Sequence, residues 1–182
     1  MTAASSPVPS HSKILYGGDY NPEQWPRTVW EEDHAAFDLA GIDTVTLGVF
    51  DWALISRGEE HYDFTLLDAI VDRVTGSGRR FVLATATGAL PPWLAHQYPE
   101  VNRTDFEGRR HTYGQRHNAC PNSPVFRRLS ARLAGKIAER YAGQPNLVAW
   151  HIGNEYGGAC YCGNCAAAFR VWIRTGTKPS AG

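Results

Sequence analysis

The sequence predicts an α/β fold of parallel strands and covering helices, organised as part of a (β/α)8 barrel with about four βα units. Three observations lead there. Apolar, β-branched runs alternate with helical periodicity in the order β-α-β-α-β-loop-α-β-α, which argues for parallel strands joined by right-handed crossovers. The run 147–152 ends abruptly in Gly153-Asn154-Glu155. That puts a carboxylate just past the C-terminal end of a buried strand, where barrels carry their chemistry. The doubly wound alternative needs a phosphate-binding glycine fingerprint after its first strand, and Gly17-Gly18-Asp19 is not one.

Each element has its own reason. Residues 14–18 read as a short strand ending in a glycine turn, and the prolines at 22 and 26 make 19–26 a loop. Residues 28–40 have helical spacing, with Val29, Trp30, Ala36, Phe37 and Ala40 on one face. Glu31, Glu32 and Asp33 suit its first turns and Gly41 its end. Residues 44–50 read as a second strand and 51–62 as a loop. Asp63 reads as the N-cap of a helix at 66–75, which Gly76-Ser77-Gly78 breaks. Residues 81–86 form a third strand. The connection 88–124 is long, and loops of that length usually carry function. Pro124 opens a helix to about Tyr141 whose apolar stripe is Val125, Leu129, Leu133, Ile137 and Tyr141. The fourth strand, 147–152, is apolar enough to be buried on both faces.

Composition narrows the function. The 182 residues suffice for one core but fall short of the ~250 of a complete barrel. Eighteen basic residues balance eighteen acidic ones, so nothing favours nucleic acid or an anionic membrane as partner. Residues 1–12 are small and polar, with no basic start followed by an apolar run, and read as a disordered tail rather than a secretory signal. No apolar stretch approaches the ~20 residues of a membrane span. The expectation is a cytoplasmic protein with reduced cysteines.

Two groups of residues carry chemistry. Water exclusion at the strand end would favour a protonated Glu155, as a general acid requires, and Asn154 would offer a donor and an acceptor to a sugar hydroxyl. The alternative is a solvated Glu155 beside an Asn154 that merely caps a turn. Cys160, Cys162 and Cys165 form C-x-C-x2-C, too close to pair among themselves without strain. With Cys120 they make four thiolates, enough for a closed tetrahedral zinc site of structural type. Free thiols or disulfides are the alternative, and His117 is a further candidate ligand or an ordinary loop histidine.

Five stretches together resemble the family 42 β-galactosidases. They are Tyr16-Gly17-Gly18-Asp19-Tyr20-Asn21-Pro22-Glu23-Gln24-Trp25-Pro26, Val45-Thr46-Leu47-Gly48-Val49-Phe50-Asp51-Trp52-Ala53, and Gly114-Gln115-Arg116-His117-Asn118-Ala119-Cys120-Pro121-Asn122-Ser123-Pro124, then Gly153-Asn154-Glu155-Tyr156-Gly157 and the cysteine cluster with Ala166-Ala167-Ala168-Phe169-Arg170. The resemblance runs from about residue 14 to 172. It implies the N-terminal half of a (β/α)8 TIM barrel and a retaining glycoside hydrolase acting on terminal β-D-galactosides, galacto-oligosaccharide or lactose-like. It also implies that Glu155 is the acid/base, that Arg116 and Asn154 contact the sugar, and that Cys120, Cys160, Cys162 and Cys165 hold structural Zn2+. Full-length members are implied to be homo-oligomeric, as trimers.

A retaining mechanism needs a second carboxylate ~5–5.5 Å from the first. The resemblance puts that nucleophile on strand seven, beyond the strands of this chain. Residues 13–173 then form the barrel part, and 174–182 read as a polar tail, as premature truncation would create. Three readings stay open: the N-terminal part of a retaining β-galactosidase, a zinc-stabilised sugar-binding module without chemistry, and an enzyme pairing Glu155 with another carboxylate such as Glu23. With the first and fourth strands unpaired at their edges, and inward side chains among Leu15, Val45, Leu47, Val82 and Ile152 lacking partners, the chain alone is expected to self-associate.

Overall fold

Short apolar strands and the helices that bury side chains against them organise the structure. This computed structural model describes residues 14–114 and 116–176. The predicted tail 1–12 and residues 177–182 lie outside the described residues. Strand β1 is Gly17–Asp19, three residues later than the sequence suggests, and a 3-10 turn Pro22–Gln24 leads into helix α1, Arg27–Ala40. Gly41 closes α1 in the left-handed conformation at φ 68°. The buried stripe of α1 is Trp30 and His34, with Phe37 packed beside them, while Ala36 and Ala40 face outward. Starting the helix at Arg27 moves Glu31, Glu32 and Asp33 to the second turn.

Strand β2 is Thr44–Leu47. The segment read as a loop after it holds the short helix α2, Trp52–Ile55, and a hairpin of β3, Ser56–Gly58, and β4, His61–Tyr62. Helix α3, Thr65–Gly76, starts with the Asp63 carboxylate accepting from Thr65 N at 2.9 Å, the predicted cap in function. Strand β5 is Arg80–Ala84. The long connection is folded rather than open: helix α4, Pro92–Gln97, is followed by a turn and two antiparallel bridges, Asn102 with Ala119 and Thr104 with Arg110. Leu94 and Val101 anchor it in the core. Helix α5, Pro124–Tyr141, and its buried stripe match the sequence reading, and strand β6 is Leu147–His151. The last helix, α6, Gly163–Gly176, continues past Trp172 through Arg174, so the expected polar tail does not begin at 174.

The sheet order is β1-β2-β5-β6, all parallel. Register and burial together separate its two faces. Val45 pairs with Phe81, and Leu47 with Leu83; all four are 0–2% exposed, in one cluster with Ile70 and Val74 of α3 and Leu133 and Ile137 of α5. The neighbouring row is Asp19, Thr46, Val82 and Ala149, and none of it is buried. Of the candidates for inward side chains, Val45 and Leu47 are therefore core residues on the helix side, and it is Val82 that lies on the open face.

The expectation of a fourth strand buried on both faces also fails. Along β6 only partial cover is found, Ala149 is exposed and Ile152 is 63% exposed. A barrel interior is filled in layers by side chains of all its strands, and four strands cannot close one. Helix α6 likewise buries none of its residues.

The two faces should answer differently to truncation. Leu83→Ala, under the helices, is expected to cost about 2–5 kcal/mol in urea unfolding, whereas Val82→Ala should cost about 1 kcal/mol or less. Equal losses would mean that the faces are assigned wrongly.

Candidate active site and metal centre

Parallel strands bring all four C-terminal ends to one edge, and hydrogen bonds knit the loops that leave it. Tyr20 N donates to Thr46 O at 2.9 Å, Gly88 N to Val49 O at 3.3 Å and Thr85 N to His151 O at 3.1 Å. Gly153 N donates to the Thr85 hydroxyl at 3.2 Å, which fixes the start of the loop carrying Glu155.

That loop is strained. Gly153 and Gly158 have φ of 71° and 72°, and between them Glu155 is left-handed at φ 44°. A non-glycine residue held there costs on the order of 1–3 kcal/mol and persists only where its surroundings determine it. The Glu155 carboxylate accepts from Arg116 at 2.9 Å, and the Arg116 guanidinium lies 5.1 Å from the ring centre of Phe50. Asn154 is half-buried and lines a cavity of about 160 Å3 with Thr87, His117, Phe126 and Tyr156. The three residues singled out from sequence thus meet at one edge. The water-excluded setting expected for Glu155 is absent: its side chain is 68% exposed and that of Arg116 53%.

The four cysteines also converge. Their sulfurs all lie within 4.8 Å of one another, with Cys120 Sγ 3.5 Å from both Cys162 Sγ and Cys165 Sγ. A metal with four thiolate ligands at about 2.3 Å sets its ligands about 3.8 Å apart, so the cluster has the size of a tetrahedral site. Local structure explains the convergence. Cys120 precedes Ser123, the N-cap of α5, whose hydroxyl accepts from Phe126 N. Cys162 and Cys165 flank the start of α6 at i,i+3 spacing, which puts them on one side. Asn122 Nδ2 donates to Cys165 Sγ, and Thr104 N to Cys160 Sγ, each at 3.4 Å. Burial pushes the Cys120 thiol well up. In Cys162 burial acts upward too, but hydrogen bonds from the Cys165 N–H and the neighbouring thiols outweigh it and bring the group to about 7. His117 is not part of this group.

Comparison with known proteins decides the family. The profile of the glycoside hydrolase family 42 described as Beta-galactosidase matches residues 19–178. The chain belongs to glycoside hydrolase family 42. Beta-galactosidase BgaP of Planococcus sp. (strain L4) is 52% identical over 162 residues, 88% of this chain and 24% of that protein. Beta-galactosidase LacZ of Lactobacillus acidophilus is 45% identical over 171 residues, 94% of this chain and 26% of its own length. The crystal structure of beta-galactosidase from Bacillus circulans sp. alkalophilus superposes with a TM-score of 0.86 at 56% identity, covering 89% of this chain and 24% of that one. The chain spans about a quarter of the length of these relatives. Its four parallel strands are the N-terminal part of a (β/α)8 barrel.

The family 42 edge holds further groups, of which the sequence reading named Glu23 alone, as a possible partner carboxylate. Asp51, after β2, is 3% exposed, and its Oδ1 has no hydrogen-bond partner. Glu23, after β1, also has a buried, unpartnered oxygen. Burial pushes the Asp51 carboxyl up to about 7, with the Glu23 charge adding to it, and burial raises Glu23 as well. Arg103 in the long connection donates to Ala119 O at 3.0 Å and to Gly157 O. Neither Asp51 nor Arg103 lies in a spacing that marks it in sequence; only folding supplies the low-dielectric site or the carbonyl partners. Among the described residues no helix is long and apolar enough to cross a membrane.

Asp51 makes stability depend on pH. Its folded pKa lies above the ordinary 3.8, so between about 4 and 7 the folded chain holds a proton that the unfolded chain has lost. Stability contributed by this group is present at acid pH and falls as pH rises through that window, by at most about 4 kcal/mol. Asp51→Asn should flatten the fall and stabilise the chain at about pH 8, read from urea midpoints across the window.

Proposed function

We propose that this segment supplies the acid/base half of a retaining β-galactosidase site acting on terminal β-D-galactosides, of lactose or galacto-oligosaccharide type. The observation that carries the reading is the meeting of Glu155, Arg116 and Asn154 at the C-terminal edge of the sheet, with Arg116 2.9 Å from the Glu155 carboxylate. In the first step Glu155 gives its proton to the glycosidic oxygen as the bond to the anomeric carbon breaks and a second carboxylate bonds that carbon. In the second step Glu155 takes a proton from the water that releases galactose. Arg116 offers a planar fork and Asn154 an amide to orient sugar hydroxyls. The second carboxylate belongs to a later barrel strand, which agrees with the open inner face of the four strands here.

Zinc is the metal proposed for Cys120, Cys160, Cys162 and Cys165, because four clustered thiolates suit its tetrahedral preference. The role is structural: four protein ligands leave no position for water or substrate. Thiols kept free for a metal suit a reducing compartment, and the cytoplasm is the location we propose.

Three measurements test this reading. Purified chain should contain about one zinc per molecule, and Cys162→Ser should lose it; metal-free protein with four freely titrating thiols would refute the metal assignment. The chain alone should show no turnover of a chromogenic β-galactoside. In a complete enzyme carrying this segment, Glu155→Gln should cripple substrates with poor leaving groups while sparing the first step for those whose leaving group needs no proton. Equal damage to both would mean that Glu155 is not the acid.

A further inference from the structure

We propose that Arg103 is a positioning residue for Glu155, tying the Glu155 loop to the segment on which the cysteine cluster is assembled. The inference rests on the reading of Glu155 as acid/base, and adds a residue that reading does not use.

The backbone of residues 101–104 is the common support. Cys120 N donates to Val101 O at 2.7 Å and Arg103 N to Asn118 O at 2.9 Å, which seats the segment carrying Cys120. On its other side Thr104 N donates to Cys160 Sγ, and Tyr161 N to Thr104 O at 2.9 Å, which seats the segment carrying Cys160. Arg103 stands in the middle of this support and is partly buried. Its Nε donates to Ala119 O, next to Cys120, and its Nη2 to Gly157 O, two residues after Glu155.

The loop needs such a tether. Its start is pinned by the Thr85 hydroxyl, but Glu155 and Gly158 are both left-handed and no ladder continues past His151. The Arg116–Glu155 pair is exposed on both sides, and exposed pairs contribute little. Gly158 and Arg103 approach closely, since a Cβ on Gly158 would meet Arg103 Nη1. The Nε and Nη2 donors of one planar guanidinium stand apart in a fixed geometry and reach carbonyls of two segments, a spread that the single nitrogen of an ammonium does not offer.

The test uses the 182-residue chain, zinc chloride as metal probe, and limited digestion with chymotrypsin, whose cleavage after the exposed Tyr156 reads the freedom of the Glu155 loop. Arg103→Met should bind zinc within about threefold of the parent affinity, while cleavage after Tyr156 accelerates about tenfold and cleavage after the exposed Tyr113 stays unchanged. Arg103→Lys should recover part of the resistance, since its ammonium can still donate to Gly157 O but does not reproduce the spread of the guanidinium donors. Unchanged cleavage after Tyr156 in Arg103→Met overturns the proposal. So does equal acceleration after Tyr113, because Arg103 would then be a general brace. If Arg103→Met does not fold, Arg103→Lys decides: it should still show intermediate acceleration confined to Tyr156, and parental cleavage there overturns the idea. A parent chain that binds no zinc removes the metal assignment, while the comparison of cleavage rates without metal still decides the role of Arg103.

Discussion

The apolar layer between the sheet and its helices is what the rest of this structure depends on. Val45, Leu47, Phe81 and Leu83 lie under α3 and α5, and each such side chain contributes roughly 1.5–3 kcal/mol by leaving water. Their alternation with Thr46 and Val82 sets which face of β2 and β5 meets the helices. A one-residue slip would send all four to the open side, so register is determined by burial rather than by hydrogen bonding alone. Parallel direction then follows from the helical crossovers, and with it the common edge on which every loop of interest emerges.

At that edge the chain sustains features that an isolated loop would not. Glu155 keeps a left-handed backbone between two left-handed glycines, and Asp51 and Glu23 keep buried carboxyl oxygens without partners. Such groups persist because neighbours bound on other strands leave them no cheaper arrangement. Thr85 just after β5, and Arg103 and Arg116 from two points of the long connection, all reach the Glu155 loop. The cysteine cluster lies at the far end of the same connection, at the starts of α5 and α6. Loop geometry and metal geometry therefore share one support, the backbone of residues 101–104.

The quarter of the relatives' length spanned here explains why these features coexist with so much exposure. Thr46, Val82 and Ala149 form an uncovered row, Ile152 is open, and α6 presents Phe169, Trp172 and Ile173 to solvent. In a (β/α)8 barrel these surfaces face further strands and helices. The solvation of Glu155 belongs with them, because a carboxyl at a barrel mouth is dried by the loops of all its strands and not by its own alone.

Much of this was legible from sequence. Helix α5 and its stripe from Leu129 to Tyr141, the capping role of Asp63 and the Gly41 stop rest on local periodicity and turn chemistry, which short segments specify by themselves. The convergence of Glu155, Asn154, Arg116 and the four cysteines was readable from motif resemblance, since it is carried by residue identities. What only the tertiary structure decided depends on distant partners. It placed Val45 and Leu47 on the helix side, left β6 half-covered, pushed the Asp51 carboxyl upward by burial and gave Arg103 two carbonyls from separate loops. Each of these depends on which distant segments the assembled chain brings together, and local spacing does not encode that.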